Sequence, residues 1–321
     1  MLENKKIKLA LAPMAGFTDK AMRQICQESG ADITWSEMVS AEGIFRNRSA
    51  YNQSLSLAEK FGPPEKNYWV QIFGNAPDSM SYAAQVIEKE IKPLGIDINL
   101  GCPVKKAQKA GYGAVQMGKI DEVIEIVEAI KKSTTLPLSL KTRLGLKNSA
   151  EILTFAPRLE KAGIDQLVVH ARTLPGMFHA EPDWQIVKKL KTILKITIIY
   201  NGGIKTPEDA KFYLEKTDCP TLMIGQGAIG NPWIFGQIKD FLRTGNYSRP
   251  DEEEKKKIIF SHARLIQKYY GEKGFIAFRP QLAAYLRGVP EASKLRAQAV
   301  RIENLKDVRN VLEKIKPRSG Q

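Results

Sequence analysis

Cysteine is scarce in this chain. Cys26, Cys102 and Cys219 are its only three among 321 residues, far apart and with no CxxC pair, which argues against a disulfide framework or a zinc site and for a reducing, cytoplasmic setting. No metal is expected. Long apolar runs are also missing: none approaches the ~18 residues that a membrane span needs, so no membrane partner is expected. The opening MLENKKIKLALAPMAG has the lysines and short apolar stretch of a secretory signal, but Pro13 and Gly16 cut the apolar part to one strand's length. The third shortage is local. Residues 255–321 hold 16 lysines or arginines against 5 acids, in a chain of net charge +14. A tail so poor in acids suits a polyanionic partner, nucleic acid first; the alternative is a helical domain with a solvated basic face.

What is present is a soluble composition, 43% apolar and 26% charged, at a length able to bury a large core. Eight β-rich runs recur: LALAPM (9–14), ITWSEMV (33–39), YWVQIF (68–73), IDINL (96–100), PLSLKT (137–142), QLVVHA (166–171), ITIIYN (196–201) and TLMIG (221–225). Between most of them lies an amphipathic segment with apolar residues three and four apart, such as IDEVIEIVEAIKKS. Eight strand–helix units predict an α/β fold, a (β/α)8 TIM barrel; a doubly wound open sheet shares the alternation and is the runner-up. After GNYSRPDEEE, which reads as a linker, the strand pattern stops and helical spacing takes over. The expected division is a barrel domain over 1–245 and a small, basic, all-α domain over 246–321.

In barrel enzymes the chemistry stands where strands run out into the following loops. The exits here carry Pro13 and Met14, Gln71, Asn99 with Cys102 just beyond, Lys141 and Arg143, His170 and Arg172, Asn201 with Gly202 and Gly203, and Gly225. A barrel packed only for stability would place Val, Ile and Leu there, and a lysine at a buried strand end needs an anion or polar ligand. The clusters YNGGIKTPEDA and IGQGAIGNPWIF suit a phosphate, because glycines let backbone N–H groups approach it. Residues 225–230 also match G-x-G-x-x-G, but only helical sequence follows Asp251, so a Rossmann unit is not expected. A phosphate cradle beside a lysine, amides and a histidine suits flavin mononucleotide (FMN), with Gln71 and Lys141 along the ring edge.

The motifs APMAGFTD (12–19), SEM (36–38), VQIFGN (70–75), DINLGCPVKK (97–106), LKTR (140–143), VVHART (168–173), NGGI (201–204) and MIGQGAIGNPWIF (223–235) run in order through the barrel region. In these the chain resembles the tRNA-dihydrouridine synthases, closest to their bacterial DusB-like branch, and its YYGEKG and LRGVPEASKLR stretches are similar too. The resemblance implies FMN as cofactor, NADPH as reductant, and tRNA as the partner whose uridines are reduced to 5,6-dihydrouridine. It implies that Pro13, Met14, Ala15, Gln71, Lys141, His170, Asn201, Gly202, Gly203, Gly225 and Gln226 hold the cofactor, and that Asn99, Arg143, Arg172, Lys105 and Lys106 face the RNA. Cys102 then protonates C5 of the uracil as hydride reaches C6; an ordinary thiol of pKa ~8.5 is protonated at neutral pH and able to serve as an acid. A nucleophilic Cys102 is the alternative chemistry, and would need a neighbouring cation. The family pattern is broken at Gln226, where an arginine commonly stands, and at Gly176 and Pro182, where Gln and Ala are expected. The basic helices would grip the tRNA through residues such as Lys255, Lys256, Arg264, Arg279, Arg287, Arg296 and Arg301, and a monomer is expected. The rivals are another FMN barrel acting on a free pyrimidine, and a non-catalytic RNA-binding protein.

Overall fold

A computed structural model describes residues 6–47, 61 and 65–315. The first five residues of the predicted barrel domain and residues 316–321 of the predicted helical domain lie outside the described residues.

The strands are β1 (Lys8–Leu11), β2 (Ile33–Trp35), β3 (Val39–Ser40), β4 (Tyr68–Phe73), β5 (Gly95–Leu100), β6 (Leu138–Arg143), β7 (Gln166–His170), β8 (Thr197–Asn201) and β9 (Thr221–Ile224). All pairings are parallel. β1 joins β9 at one seam, and β2 joins β4 at the other through Thr34 with Tyr68 and Trp35 with Trp69, so the sheet closes. Eight strands form the ring, and β3 is a two-residue extension on β4. The predicted barrel is therefore present, and the open-sheet alternative is not.

The predicted second strand, 33–39, is broken in two, and the reason is local. Ser36 N–H bonds the Trp69 carbonyl at 2.9 Å, but the Gln71 N–H goes to the Ser36 hydroxyl at 3.0 Å rather than to a strand carbonyl. A side chain has replaced the backbone in the ladder, freeing residues 36–38 to turn over the mouth.

Side chains alternate along each strand. Val70, Ile72, Ile96, Ile98, Leu138, Leu140, Leu167, Val169, Ile198 and Leu222 belong to the apolar cluster shared with the surrounding helices. Inside the ring, Ala10, Ala12, Trp35, Trp69, Val168, Ile199 and Met223 form a separate small cluster, with the two tryptophan rings stacked 5.6 Å apart. The positions that continue this inner set upward are Gln71, Asn99, Lys141, His170 and Asn201, so the barrel is polar at its carboxyl end and mostly apolar below it, with Asp97 and Ser139 as buried polar exceptions. Among the described residues no helix is long and apolar enough to cross a membrane.

Beyond β9 and the helix Ile234–Thr244 the chain is helical: Glu252–Tyr270, Gly274–Tyr285, Ala292–Ala299 and Leu305–Glu313. The acidic DEEE stretch, expected in a linker, instead opens the first of these. Asp251 accepts the Glu254 N–H and Glu254 accepts the Asp251 N–H, a reciprocal cap, and three glutamates in the first turn suit the positive end of the helix. These helices enclose their own apolar cluster, including Ile259, Ile266, Phe275, Phe278, Leu282 and Val308, which reaches Ala21 of the barrel helix Lys20–Glu28. Polar bonds fix the same contact: Tyr269 Oη donates to Gln24 Oε1 at 2.6 Å, Lys20 N–H to Tyr270 Oη at 3.0 Å, and Gln281 Nε2 to Asp19 Oδ2 at 3.0 Å.

Gly95 opens β5 beneath the stacked tryptophans, where an added methyl would run into the Trp69 ring and lie 2.6 Å from the Pro137 carbonyl oxygen. Gly95→Ala is expected to lower stability by about 1–3 kcal/mol, the usual range for overpacking, as read by urea unfolding; an unchanged midpoint would contradict the packing described.

Candidate active site

The mouth of the barrel is a cavity of about 370 Å³, within the ~300–1,000 Å³ typical of small-molecule and cofactor sites. Its wall includes Pro13, Met14 and Ala15, Gln71, Asn99, Cys102, Lys141, Arg143, His170, Arg172, Asn201, Gly202, Gly203, Gly225 and Gln226. The structure thus brings together every predicted site residue except Lys105 and Lys106. Those two stand exposed at the start of the short helix Lys105–Lys109, just past the cavity-lining Val104.

One side of the mouth is a chain of amides. Gln71 Nε2 donates to Asp97 Oδ2 at 2.6 Å, Asn99 Nδ2 donates to Gln71 Oε1 at 2.9 Å, and Asn99 Oδ1 accepts the N–H groups of Gly101 and Cys102 at 3.2 and 3.0 Å. Asp97 lies wholly buried below. Burial pushes its carboxyl up to about 6, with the Ser139 hydroxyl, the Gln71 amide and the Lys141 ammonium pulling the other way.

On the next strand, β6, Lys141 pairs in register with Asn99; its Nζ donates to Asn201 Oδ1 at 3.1 Å, while Asn201 Nδ2 is anchored on the Met223 carbonyl at 2.8 Å. The β6 ammonium sits in a desolvated place beside Arg143, and its pKa falls to about 8, Asp97 and Cys102 offsetting part of the drop. Burial, then Lys141, Arg143 and Arg172, hold His170 well below the ordinary histidine range, so it is neutral. A neutral ring accepts at one nitrogen, and Arg172 Nη1 stands 3.2 Å from His170 Nε2. Burial and Arg172 lower Arg143 to about 10.

The cysteine loop is held from several sides. Ala114 N–H bonds the Cys102 carbonyl at 3.1 Å. Gly113, at φ +77°, leaves no room for a side chain: a Cβ there would lie 3.0 Å from both Cβ and the carbonyl oxygen of Cys102. Arg143 Nε donates to the Gly101 carbonyl at 3.0 Å, and its Nη1 to Thr173 and Met177 carbonyls at 3.1 and 2.8 Å. Arg143, expected to face the uracil, lines the cavity, and its side chain also ties the cysteine loop to the loop after β7, with its guanidinium 5.3 Å from the Phe178 ring centre. Cys26 and Cys219 are buried, and Cys102 alone of the three reaches the cavity.

Opposite lie the glycines. Gly202, at φ +123°, would place a Cβ 3.1 Å from His170, and a Cβ on Gly227 would strike the Ile204 carbonyl oxygen. Gln226 begins a single 3₁₀ turn, Gln226–Ala228. Sequence reasoning missed Lys205, Met38 and Phe178 as wall residues. Met38 lay within the quoted SEM motif, and Lys205 one residue past NGGI. Phe178 carried no signal. Among the described residues no group of three or more His, Cys, Asp or Glu side chains is arranged to hold a metal ion.

A closed parallel barrel with a polar, glycine-edged mouth defines a (β/α)8-barrel enzyme. A family model described as "Dihydrouridine synthase (Dus)" matches residues 10–319. Curated relatives include a probable tRNA-dihydrouridine synthase of Aquifex aeolicus, 34% identical over 98% of both chains, and tRNA-dihydrouridine synthase B of Pasteurella multocida, 37% identical over 88% of this chain and 85% of that one. Among solved structures, a 2-naphthoyl-CoA reductase complex superposes with a TM-score of 0.53 at 12% identity, covering 74% of this chain and 50% of that one. Histamine dehydrogenase from Rhizobium sp. 4-9 does so with 0.54 at 11%, covering 98% and 63%; such likeness speaks for the fold alone. The chain belongs to the dihydrouridine synthase family and is an oxidoreductase.

Because its pKa is lowered, Lys141 offers a neutral amine about two pH units below an ordinary lysine. In cofactor-free protein, reductive methylation followed by mass spectrometry should half-modify Lys141 near pH 8, about two pH units below a lysine model peptide treated in parallel; equal midpoints would contradict the desolvated site.

Proposed function

We propose that this protein reduces uridines of tRNA to 5,6-dihydrouridine with FMN held in the barrel mouth and NADPH as reductant. The cavity fits the cofactor on its own terms. A half-buried ammonium and a row of amides stand on one side, and glycine turns stand on the other, which matches a carbonyl-rich ring carrying a phosphate. The ring edge would meet Gln71 and Lys141, with Met14 and His170 beside it and Pro13 and Ala15 along the wall; the phosphate would sit against Gly202, Gly203, Gly225 and Gln226. Lys205 lines that same wall and supplies a positive charge where the resemblance expected an arginine at 226. When bound, FMN supplies hydride to C6 of the uracil.

The chain's own residues do the rest. Cys102, whose turn is fixed at the end of the amide chain, lines the cavity and would give its proton to C5. Arg143 keeps the cysteine loop and the loop after β7 in register. Neutral His170 and the Lys141 ammonium give the ring edge an acceptor or donor and a positive charge, respectively. The target base has to leave its stack to enter the mouth.

In this reading residues 1–245 are the catalytic domain and 246–321 grip the RNA, with Lys105 and Lys106 at the rim. Three of the cations expected to do so are engaged within the protein: Lys255 with Glu252 at 3.0 Å, Lys256 with Glu253 at 2.8 Å, and Arg279 with the Ile302 carbonyl at 3.0 Å. Arg264, Arg287 and Arg301 are exposed and are the better phosphate contacts.

The single observation that carries the proposal is Cys102 at the edge of a polar barrel mouth in a dihydrouridine synthase family chain. Cys102→Ala should keep FMN and its reduction by NADPH but lose dihydrouridine formation on tRNA by at least ~100-fold, the low end of general acid catalysis, measured by mass mapping of the modified RNA. An unchanged dihydrouridine yield would remove Cys102 from the reaction.

A further inference from the structure

We propose that Asp97 is a positioning residue: its carboxylate sets the orientation of two successive side-chain amides, Gln71 and Asn99, and through them the turn that presents Cys102. Asp97 takes no part in the chemistry above and does not line the cavity. It is fully buried one layer down, paired in register with Gln71 of β4 and Ser139 of β6.

A primary amide is nearly symmetric in shape, so packing alone scarcely distinguishes its oxygen from its nitrogen. Hydrogen bonding must choose, and an ionised carboxylate chooses without ambiguity because it only accepts. Asp97 Oδ2 accepts from Gln71 Nε2 at 2.6 Å, which turns Gln71 Oε1 toward Asn99. That oxygen accepts Asn99 Nδ2 at 2.9 Å, which turns Asn99 Oδ1 toward the turn. There it receives the N–H groups of Gly101 and Cys102 at 3.2 and 3.0 Å. Each link has one sense. Reversing any amide would set N–H against N–H, or oxygen against oxygen, at the next contact, so the sense fixed at Asp97 is carried to the cysteine. The turn is also held by Ala114 N–H on the Cys102 carbonyl at 3.1 Å and by Arg143 Nε on the Gly101 carbonyl at 3.0 Å; neither contact involves Asp97 or the two amides, so a change at Asp97 releases the amide side alone.

The argument does not depend on what occupies the mouth, and neither does its test. Iodoacetamide labelling of the full-length, cofactor-free protein, followed by mass spectrometry, reads the turn directly, because Cys26 and Cys219 are 0% and 1% exposed and report only unfolding. In Asp97→Asn the new amide can present its NH₂ to Gln71 and reverse the chain, and the Cys102 rate should rise about tenfold, as expected for losing one or two hydrogen bonds. Adding Gln71→Glu moves the carboxylate one link along, where it accepts both from the amide introduced by Asp97→Asn and from Asn99, and should return Cys102 to within about twofold of the parent. Ser139→Ala, which removes a hydroxyl beside the same carboxylate but leaves the amide chain alone, should leave the rate near that of the parent. An unchanged rate in Asp97→Asn, a rise shared by Cys26 and Cys219, a rise of the same size in Ser139→Ala, or no recovery in the double variant would each overturn the proposal.

Discussion

The pairing of Thr34 with Tyr68 and Trp35 with Trp69 closes the sheet between β2 and β4, and closure brings the strand ends together in one ring. Every second residue then points inward. Lower down that direction is filled mostly by the tryptophan pair and other apolar residues, with Asp97 and Ser139 buried among them, but near the carboxyl ends the inward positions are Gln71, Asn99, Lys141, His170 and Asn201. Polar groups desolvated in this way are unfavourable unless something bonds them. Some find each other. The remaining donors and acceptors face a common cavity, and the need to satisfy them makes the mouth a binding site rather than a packed end.

The same geometry divides the labour between strands. β4 and β5 supply a directional amide chain rooted in Asp97, whose far end is the cysteine turn. β6, β7 and β8 supply the positive side, where desolvation acts on Lys141 and His170 in the same direction, toward neutrality. For Lys141 this leaves an ammonium that gives up its proton near pH 8, and for His170 a ring that cannot compete with it as a cation. The loops after β8 and β9 contribute mainly backbone. The helical part is fixed beside this site by Tyr269, Tyr270 and Gln281, each bonded to or next to the first barrel helix. Its exposed arginines are thereby held in a constant relation to the barrel.

Much of this was legible in the chain because buried parallel strands advertise themselves as short β-branched runs, and because the polar residue closing each run is out of place unless it works. The details that escaped depend on contacts distant in sequence. Nothing local says that the Ser36 hydroxyl will take the Gln71 N–H and split a strand. Arg143 reads as a free cation until the carbonyls of Thr173 and Met177, 30 and 34 residues later, close on it. Asp97 was hidden within an apolar run, where alternation alone puts it inside. The stretch DEEE was the one feature misread although its signal was present: an aspartate three residues before a glutamate is a helix start.

The account stands or falls on a flavin lying across the Lys141 side of the mouth. Titrating FMN into the cofactor-free chain, followed by the quenching of flavin fluorescence, tests this most directly. The account predicts saturation at one FMN per chain and clearly weaker binding in Lys141→Met. A chain that neither carries FMN from purification nor takes it up, or that binds it equally well without Lys141, would contradict it.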